Sequence, residues 1–184
     1  RNPQRMQKLR IRKLILEHFS AILAGTGKER IELDLTNVFN RFIVFIGPIG
    51  SGKTYILSHL QPFANVGSLD VRNTDDPILP GKDGKKVIEY ESDEHEIIIT
   101  HTFTWTGKTH SKKHSIVKDG TELNPNGNRA SFLELIQLEF GIDESYIRLV
   151  RVGANVTNFI NMKATERKAF VANLLKDTEV YLYL

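Results

Sequence analysis

Residues 42–54 read Phe-Ile-Val-Phe-Ile-Gly-Pro-Ile-Gly-Ser-Gly-Lys-Thr, and most of what this 184-residue sequence predicts starts from them. Residues 47–54 follow the pattern G-x-x-x-x-G-K-T, whose glycines let backbone N–H groups curl around phosphate oxygens. The apolar run 42–46 predicts a central strand buried on both faces. Residues 53–60 predict a helix that ends before Pro62. Strand, glycine loop and helix together predict a phosphate-binding P-loop.

The loop and the residue after it form the candidate nucleotide site. Lys53 is expected to reach the β- and γ-phosphates as a point charge, which makes it the candidate catalytic residue. The Thr54 hydroxyl is expected to bind Mg²⁺, so the predicted ligands are Mg²⁺ and ATP or a close relative of ATP. For Tyr55, nucleotide contact competes with packing in the core. Phosphate contacts are predicted for Gly47, Pro48, Ile49, Gly50, Ser51, Gly52, Lys53 and Thr54.

Hydrophobic patterning places further strands and helices on either side of the loop. Alternating residues predict strands at 8–19 and 30–35, joined by a glycine-rich turn at 24–29. Later segments predict an antiparallel meander followed by helices. These are strands at 86–91, 96–105 and 114–118, helices at 130–140 and 164–176, and a long loop at 64–86. The sequence thus predicts one α/β domain over 1–184, a P-loop NTPase with a mixed sheet and the meander beside the P-loop helix.

Composition limits the classes of protein to which the chain can belong. With 40% hydrophobic and 26% charged residues, the chain has enough apolar area for a globular core. The lack of cysteine excludes disulfides and thiolate zinc sites, and no apolar run approaches the ~20 residues of a membrane helix. We therefore expect a cytoplasmic protein without a membrane partner. Because the sequence runs from Arg1 to Leu184 without an initial Met or a polar tail, we expect a fragment.

The sequence shows no acidic residues in the positions that ATP hydrolysis requires. Hydrolysis requires a carboxylate at the end of an apolar strand to hold Mg²⁺, usually with a second acid that orients water. The apolar triplet 97–99 leads to Thr100, and the acidic pair at 143–144 follows Gly-Ile rather than a strand. We therefore expect the catalytic acids to lie outside this sequence.

Basic residues cluster in two places. One cluster, between Arg1 and Lys13, runs into the first predicted strand. The other lies on a predicted exposed hairpin and consists of Lys108, Lys112, Lys113 and Lys118. For both clusters, phosphate contacts with DNA compete with a solvated surface protected by charge. In the N-terminal cluster, contact of Arg10 or Arg12 with nucleotide phosphates is a further alternative. His110 and His114 share the hairpin, but their spacing does not converge on a metal in a strand or turn.

The order of these features resembles the N-terminal half of an ATP-binding-cassette (ABC) ATPase of the SMC and SbcC type. Residues 47–54 are similar to the family's G-x-N-G-S-G-K-S/T loop, with isoleucine where asparagine is usual. Residues 16–19, Leu-Glu-His-Phe, are similar to its L-x-N-F element, with histidine in place of asparagine. Residues 158–160, Asn-Phe-Ile, followed by Ala-Thr-Glu-Arg at 164–167, resemble the stretch before the family's coiled coil.

The resemblance implies that further segments complete the function. A long coiled coil would follow the helix at 164–184, and a C-terminal half of the same head would return with the signature motif, Walker B acids and a switch histidine. Two heads of a homodimer would then sandwich ATP. Their engagement would control an SbcD-like metallophosphoesterase nuclease on double-stranded DNA ends during repair or recombination. The turn-rich residues 119–128 are similar to the phage-encoded branch, which would place the protein in the host cytoplasm.

Three site assignments rest on the resemblance alone. Lys28 and Arg30 belong to the turn that approaches the adenine and ribose in the family, so base-side contacts are implied for them. The family also places a glutamine before its F-L element to sense Mg²⁺ and the γ-phosphate. The matching stretch here is 151–155, Arg-Val-Gly-Ala-Asn, which departs from that pattern. Asn155 or Asn158 is the implied substitute for this glutamine, and Asn155 is the implied metal ligand.

Other functions fit parts of the same pattern. An SMC- or RecF-like ATPase would act as a DNA clamp without a nuclease. A stand-alone P-loop kinase or GTPase would use the same loop, but an Asp-based Walker B strand and an N/T-K-x-D motif are absent from the sequence. A nucleotide-binding half-domain without turnover of its own is a further alternative.

Overall fold

A computed structural model of the chain shows six strands in one sheet, in the order β2-β1-β3-β4-β5-β6. The structure describes residues 9–38, 43–64, 77–144, 163–165, 167, 168 and 171. The elements are β1 (Arg10–Glu17), α1 (Ser20–Thr26), β2 (Arg30–Asp34), α2 (Lys53–Ser58), β3 (Gly84–Glu91), β4 (Glu96–Trp105), β5 (His110–Lys118), β6 (Thr121–Glu122) and α3 (Arg129–Phe140). The α/β class is confirmed. All five strand pairs in the described residues are antiparallel, whereas a mixed sheet was predicted.

The first strand forms as its alternation predicts. β1 buries Leu14 and Leu16 on one face and pairs with β2 on one side and β3 on the other. The register with β3 shifts between Ile11 and Lys13, where β1 carries a β-bulge. The predicted hairpin between the first two strands is therefore confirmed.

A short helix replaces part of the predicted glycine-rich turn at 24–29. Residues 24–26 belong to α1, which ends at Gly27 with a positive φ of 70°. Ile22 of this helix is completely buried in the core. Because short helices are stabilised mainly by tertiary packing, burial of Ile22 outweighs the local glycine signal.

The meander of β3, β4 and β5 matches its prediction except at two ends. β4 has the predicted bounds, whereas β3 begins two residues earlier than residue 86 and β5 begins at His110 rather than His114. The hairpin between β4 and β5 closes with a hydrogen bond of 2.9 Å from the Thr106 N–H to the Thr109 carbonyl oxygen. The short strand β6, which pairs with the end of β5, was not predicted.

Residues 43–46 do not form the predicted buried strand. They lie outside any strand, and the side chains of Val44 and Ile46 are 77% and 91% exposed. A strand that is apolar on both faces needs neighbouring strands and a cover on each face. The described part of the chain provides no strand beside these four residues. The predicted strand that would lead into the glycine loop is therefore wrong for residues 43–46, and Phe42 lies outside the described residues.

Helix α2 begins at Lys53, as predicted, and is shorter than expected. It ends at Ser58, well before Pro62. Ile56 packs against the core, whereas Leu57 is 47% exposed. These two apolar side chains of α2 therefore do not share one buried face.

Helix α3 confirms the predicted helix at 130–140. The Asn128 side chain accepts a hydrogen bond at its N-terminus, and the helix ends at Gly141 with a positive φ of 66°. Phe132 and Ile136 are buried against the sheet, whereas Leu138 is 75% exposed. The helix therefore leaves part of its apolar surface exposed.

The hydrophobic core lies on one face of the sheet. α1, the segment after α2 and α3 contribute side chains to it. On the opposite face, residues such as Thr102 and Lys113 are exposed, as is common for an antiparallel sheet with one solvated side. The core side chains with no exposed area are Leu14, Leu16, Phe19, Ile22, Ile88, Ile99, Phe103, Ile116 and Ile136.

Several predictions fall wholly or partly outside the described residues. They concern residues 65–76 of the long loop, the element at 158–160 and most of the helix at 164–176. Residues 164, 165, 167, 168 and 171 are helical. Within the described ranges, no helix is both long and apolar enough to cross a membrane.

Candidate functional site

The loop at residues 47–54 adopts a backbone that requires its glycines. Gly50 and Gly52 take positive φ angles of 82° and 77°, a region that residues with side chains rarely occupy. Between them, the Ser51 N–H donates to the Pro48 carbonyl oxygen at 3.3 Å, which closes a tight turn. α2 starts at the next residue, so the loop and the helix form one continuous unit.

Lys53 folds back across this loop. Its Nζ donates to the carbonyl oxygens of Gly47 at 2.7 Å and Pro48 at 2.5 Å, and to the Ser51 hydroxyl at 3.2 Å. These three bonds use all the donors of a lysine ammonium. An anionic oxygen is a stronger acceptor for an ammonium group than a neutral carbonyl oxygen. The arrangement can therefore exchange the carbonyl contacts for contacts with a phosphate group.

Tyr55 turns away from the loop toward the core. Its ring centroid lies 6.3 Å from that of Phe19 and 4.7 Å from that of His59, and burial raises the pKa of the Tyr55 phenol to about 12. Thr54 and Ile49, by contrast, are exposed. The contacts of Tyr55 favour packing over a role in nucleotide binding.

Helix α1 touches the loop at Gly25, which the sequence did not single out. A side-chain carbon built at this position would lie 2.8 Å from the Gly50 carbonyl oxygen and 2.9 Å from the Gly52 nitrogen. Both distances are shorter than van der Waals contact, so only glycine permits this close approach of α1 and the loop. The sequence shows Gly25 within a segment that can form a helix, but the glycines of this segment predicted a turn instead.

The two base-side candidates follow α1. The Lys28 side chain is exposed, and its backbone N–H is bonded to the Thr26 hydroxyl at 3.2 Å. Arg30 donates to the Glu32 carboxylate at 2.6 Å. Lys28 is thus accessible to a ligand, whereas Arg30 is engaged in an ion pair along β2.

The four hairpin lysines do not share one surface. Lys108 is exposed in the turn, and Lys112 and Lys113 are adjacent on β5, so their side chains point to opposite faces of the sheet. Lys118 donates to Glu139 of α3 at 2.6 Å. The charge of Lys118 is therefore compensated by an acid of α3. Neither β5 nor β4 after its first residue contains an acidic side chain.

Basic residues at the start of β1 are paired with acids of neighbouring strands. This agrees with the interpretation of a solvated, charge-compensated surface for the part of the cluster that the structure describes. The ion pairs are Arg10–Glu91, Arg12–Glu96 at 2.7 Å and Lys13–Glu32 at 3.6 Å.

The segment after α2 is bonded to the sheet by two buried basic side chains. Lys86 on β3 donates to the carbonyl oxygens of Gln61 at 2.8 Å and Phe63 at 2.7 Å. His101 on β4, the cross-strand partner of Lys86, donates from Nε2 to the Pro62 carbonyl oxygen at 2.7 Å. Three consecutive carbonyl oxygens therefore accept bonds from the sheet. The sequence did not single out either residue, because lysine and histidine within a strand are usually surface residues.

His101 extends this polar row to β5. Because its Nε2 carries the donated hydrogen, the neutral ring accepts at Nδ1 from the Nδ1–H of His114, 2.8 Å away. Phe132 of α3 covers both rings, at centroid distances of 5.1 and 5.2 Å. Burial lowers the pKa of His101 well below its ordinary value, and it also lowers the pKa values of His114 and Lys86.

The histidines of β5 are engaged in bonds other than metal coordination. His110 donates from Nε2 to the Lys82 carbonyl oxygen at 2.7 Å, while His114 bonds His101. Where the structure describes the chain, no group of three or more His, Asp or Glu side chains is arranged to hold a metal. A nucleotide-bound Mg²⁺ takes most of its ligands from phosphates and water, so Thr54 suits that role without such a group. Asn155 lies outside the described residues.

No protein-family model matches the sequence, and the search of curated proteins finds no match.

Proposed function

We propose that this chain binds ATP through residues 47–54 and is the N-terminal half of the head of an SbcC-like DNA-repair ATPase. The observation that carries the proposal is the Lys53 ammonium, held by Gly47, Pro48 and Ser51 inside a loop with two positive-φ glycines. Neutral acceptors occupy the positions around the amine. A triphosphate would replace them with anionic oxygens and would accept bonds from the loop N–H groups.

The exposed apolar residues before and within the loop support the proposal that another half of the head packs against them. Ile43, Val44, Ile46 and Ile49 form a short stretch of large exposed hydrophobic side chains. Their sequence suits a strand buried on both faces, and a second polypeptide segment that pairs with this stretch would bury them. The C-terminal half of the same head is the proposed partner, and it would also supply the acids for Mg²⁺ and water that this sequence lacks.

DNA is the proposed substrate of the assembled homodimer, with an SbcD-like nuclease as its partner. Lys108, Lys112 and Lys113 support DNA contact, because they are exposed on a hairpin without acidic residues after Glu96. Lysine and hydroxyl side chains bind phosphate oxygens of the DNA backbone without reading its sequence. In this proposal, ATP-dependent engagement of the heads controls the access of DNA ends to the nuclease.

Binding of a fluorescent ATP analogue tests the first step. We expect saturable, Mg²⁺-dependent binding to the wild-type chain and loss of binding in Lys53→Ala, because the ammonium is the principal positive charge at the loop. Lys85→Ala is the matched control, since it removes an exposed lysine from β3 and should leave the affinity unchanged. Equal affinity of wild type and Lys53→Ala would place the site elsewhere.

Two further measurements separate the proposed function from its alternatives. Capture of a metallophosphoesterase by the full-length protein distinguishes the nuclease-associated ATPase from a DNA clamp, which would bind DNA without that partner. Appreciable ATP turnover by this chain alone would contradict the proposed division of the site. It would favour a stand-alone P-loop enzyme instead.

A further inference from the structure

We propose that Lys86 and His101 are positioning residues for the nucleotide loop, because they bond the segment at which α2 joins the sheet. This inference rests on the proposed ATP-binding function of residues 47–54. The two side chains are cross-strand partners on β3 and β4, and together they bond the three carbonyl oxygens of residues 61–63. They touch neither the loop nor its ligand, so they would act through α2.

The segment they hold is already a rigid unit. The Gln61 side chain accepts from the Phe63 N–H at 2.6 Å and donates to the Phe63 carbonyl oxygen at 3.1 Å. Gln61 and Phe63 are both buried. Because this turn is braced internally, fixing its carbonyl oxygens to the sheet fixes the whole turn.

Because α2 is short, fixing the turn at residues 61–63 also restricts the position of the loop. Only the remaining residues of α2 and two more, residues 54–60, separate Lys53 from Gln61. His59, directly after the helix, packs between Phe19 and Tyr55, with ring centroids 5.0 and 4.7 Å apart. Next to the start of α2, residues 50 and 52 of the loop abut Gly25 of α1. The loop is thus held between α1 on one side and the anchored turn on the other.

Stability alone does not account for a lysine at this position. Lys86 is completely buried, and its hydrogen-bond partners in the described residues are carbonyl oxygens rather than a carboxylate. Burial of an amine without a counter-ion is unfavourable, and an apolar side chain of similar length is commonly tolerated or stabilising at such sites. A methionine side chain, however, has no hydrogen-bond donors with which to fix the turn at residues 61–63.

Lys86→Met tests the inference, with Lys85→Met as its control on the solvated face of the same strand. We expect Lys86→Met to raise amide hydrogen exchange in residues 53–63 and to weaken binding of the fluorescent ATP analogue about tenfold, the equivalent of one good hydrogen bond. The urea midpoint should not fall. Lys85→Met should resemble wild type in all three measurements.

A second pair of variants keeps the test decisive if Lys86→Met does not fold. His101→Gln retains a donor that reaches the Pro62 carbonyl oxygen, and we expect near-wild-type exchange and affinity. His101→Phe has no donor there and should behave as Lys86→Met. This rescue by the conservative variant would not occur if the imidazole served only to fill the core.

Two results would overturn the inference. One is unchanged exchange in residues 53–63 of Lys86→Met and His101→Phe. The other is a uniform rise in exchange over β3, β4 and β5 with a lower urea midpoint, which indicates general destabilisation. Failure of the proposed ATP site is distinguishable, because then wild type would not bind the analogue, while the exchange measurement would still decide whether the turn is anchored.

Discussion

Acidification from pH 7 to about pH 5.5 should destabilise the protein through its two buried imidazoles. The fold lowers the pKa values of His101 and His114, mainly through burial. In the unfolded chain both imidazoles titrate at about 6.5 and take up protons that the folded state excludes. Stability is therefore greatest above the unfolded pKa and decreases as the pH falls below it.

The size of the effect follows from proton linkage. A histidine that stays neutral in the folded state contributes a loss of about 1.3 kcal/mol between pH 7 and pH 5.5. His101 should contribute this amount, and His114, which is less deeply buried, should contribute less, so we expect a total loss of about 2 kcal/mol. The lowered pKa of Lys86 acts in the same direction. Carboxylates with lowered pKa values, such as Glu29 and Asp119, lose their contribution at lower pH.

Urea unfolding followed by circular dichroism at both pH values measures this loss. The double variant His101→Gln/His114→Gln should show a much smaller difference between the two pH values, because it removes both imidazoles. His95→Gln, which replaces a partly exposed histidine in a turn, is the matched control and should keep the difference. An unfolding free energy that stays constant or rises on acidification would refute the assignment of two neutral, buried imidazoles.

Three other substitutions test the packing and charge described above. Gly25→Ala should force α1 away from the nucleotide loop, cost about 1–3 kcal/mol of stability and weaken ATP-analogue binding; unchanged affinity would show that the close approach is unimportant. Phe132→Ala should lower the free energy of unfolding by about 3–5 kcal/mol, whereas the control Leu138→Ala, on the exposed side of the same helix, should change it by less than about 0.5 kcal/mol. Lys113→Ala should reduce the slope of log DNA affinity against log salt by about 1, while Lys118→Ala, whose charge is paired with α3, should leave that slope nearly unchanged.

Elements with strong local patterns could be predicted from the sequence. The alternation in β1 and β4 and the helical periodicity of α3 reflect one buried face each, which is a property of a short segment. Gly141 also signals the end of α3, because glycine readily adopts the left-handed conformation found there. The same holds for the loop at 47–54, whose glycines and lysine are recognisable without tertiary information.

Features that depend on distant segments could not be predicted. Residues 43–46 suit a buried strand, but strand formation requires neighbours that the sequence of the strand does not specify. Gly25 is needed because the loop comes within contact distance of α1. Lys86 is buried because residues 61–63 supply its acceptors. In each case, the observed conformation or burial depends on a second segment of the chain. The local sequence pattern alone predicts a different conformation or environment.

The polar row of Lys86, His101 and His114 also has a consequence for the order of folding. Its donors meet the turn at residues 61–63 in only one strand alignment, so a slip of one residue would turn them to the opposite face. The meander is built from sequence-local hairpins, whereas the turn is 25 residues from Lys86 along the chain. We therefore expect the meander to form first and the turn to dock afterwards, so that during folding the amides of residues 61–63 become protected from hydrogen exchange later than those of β4. The nucleotide loop would then be the part of the fold that is completed last and opened first.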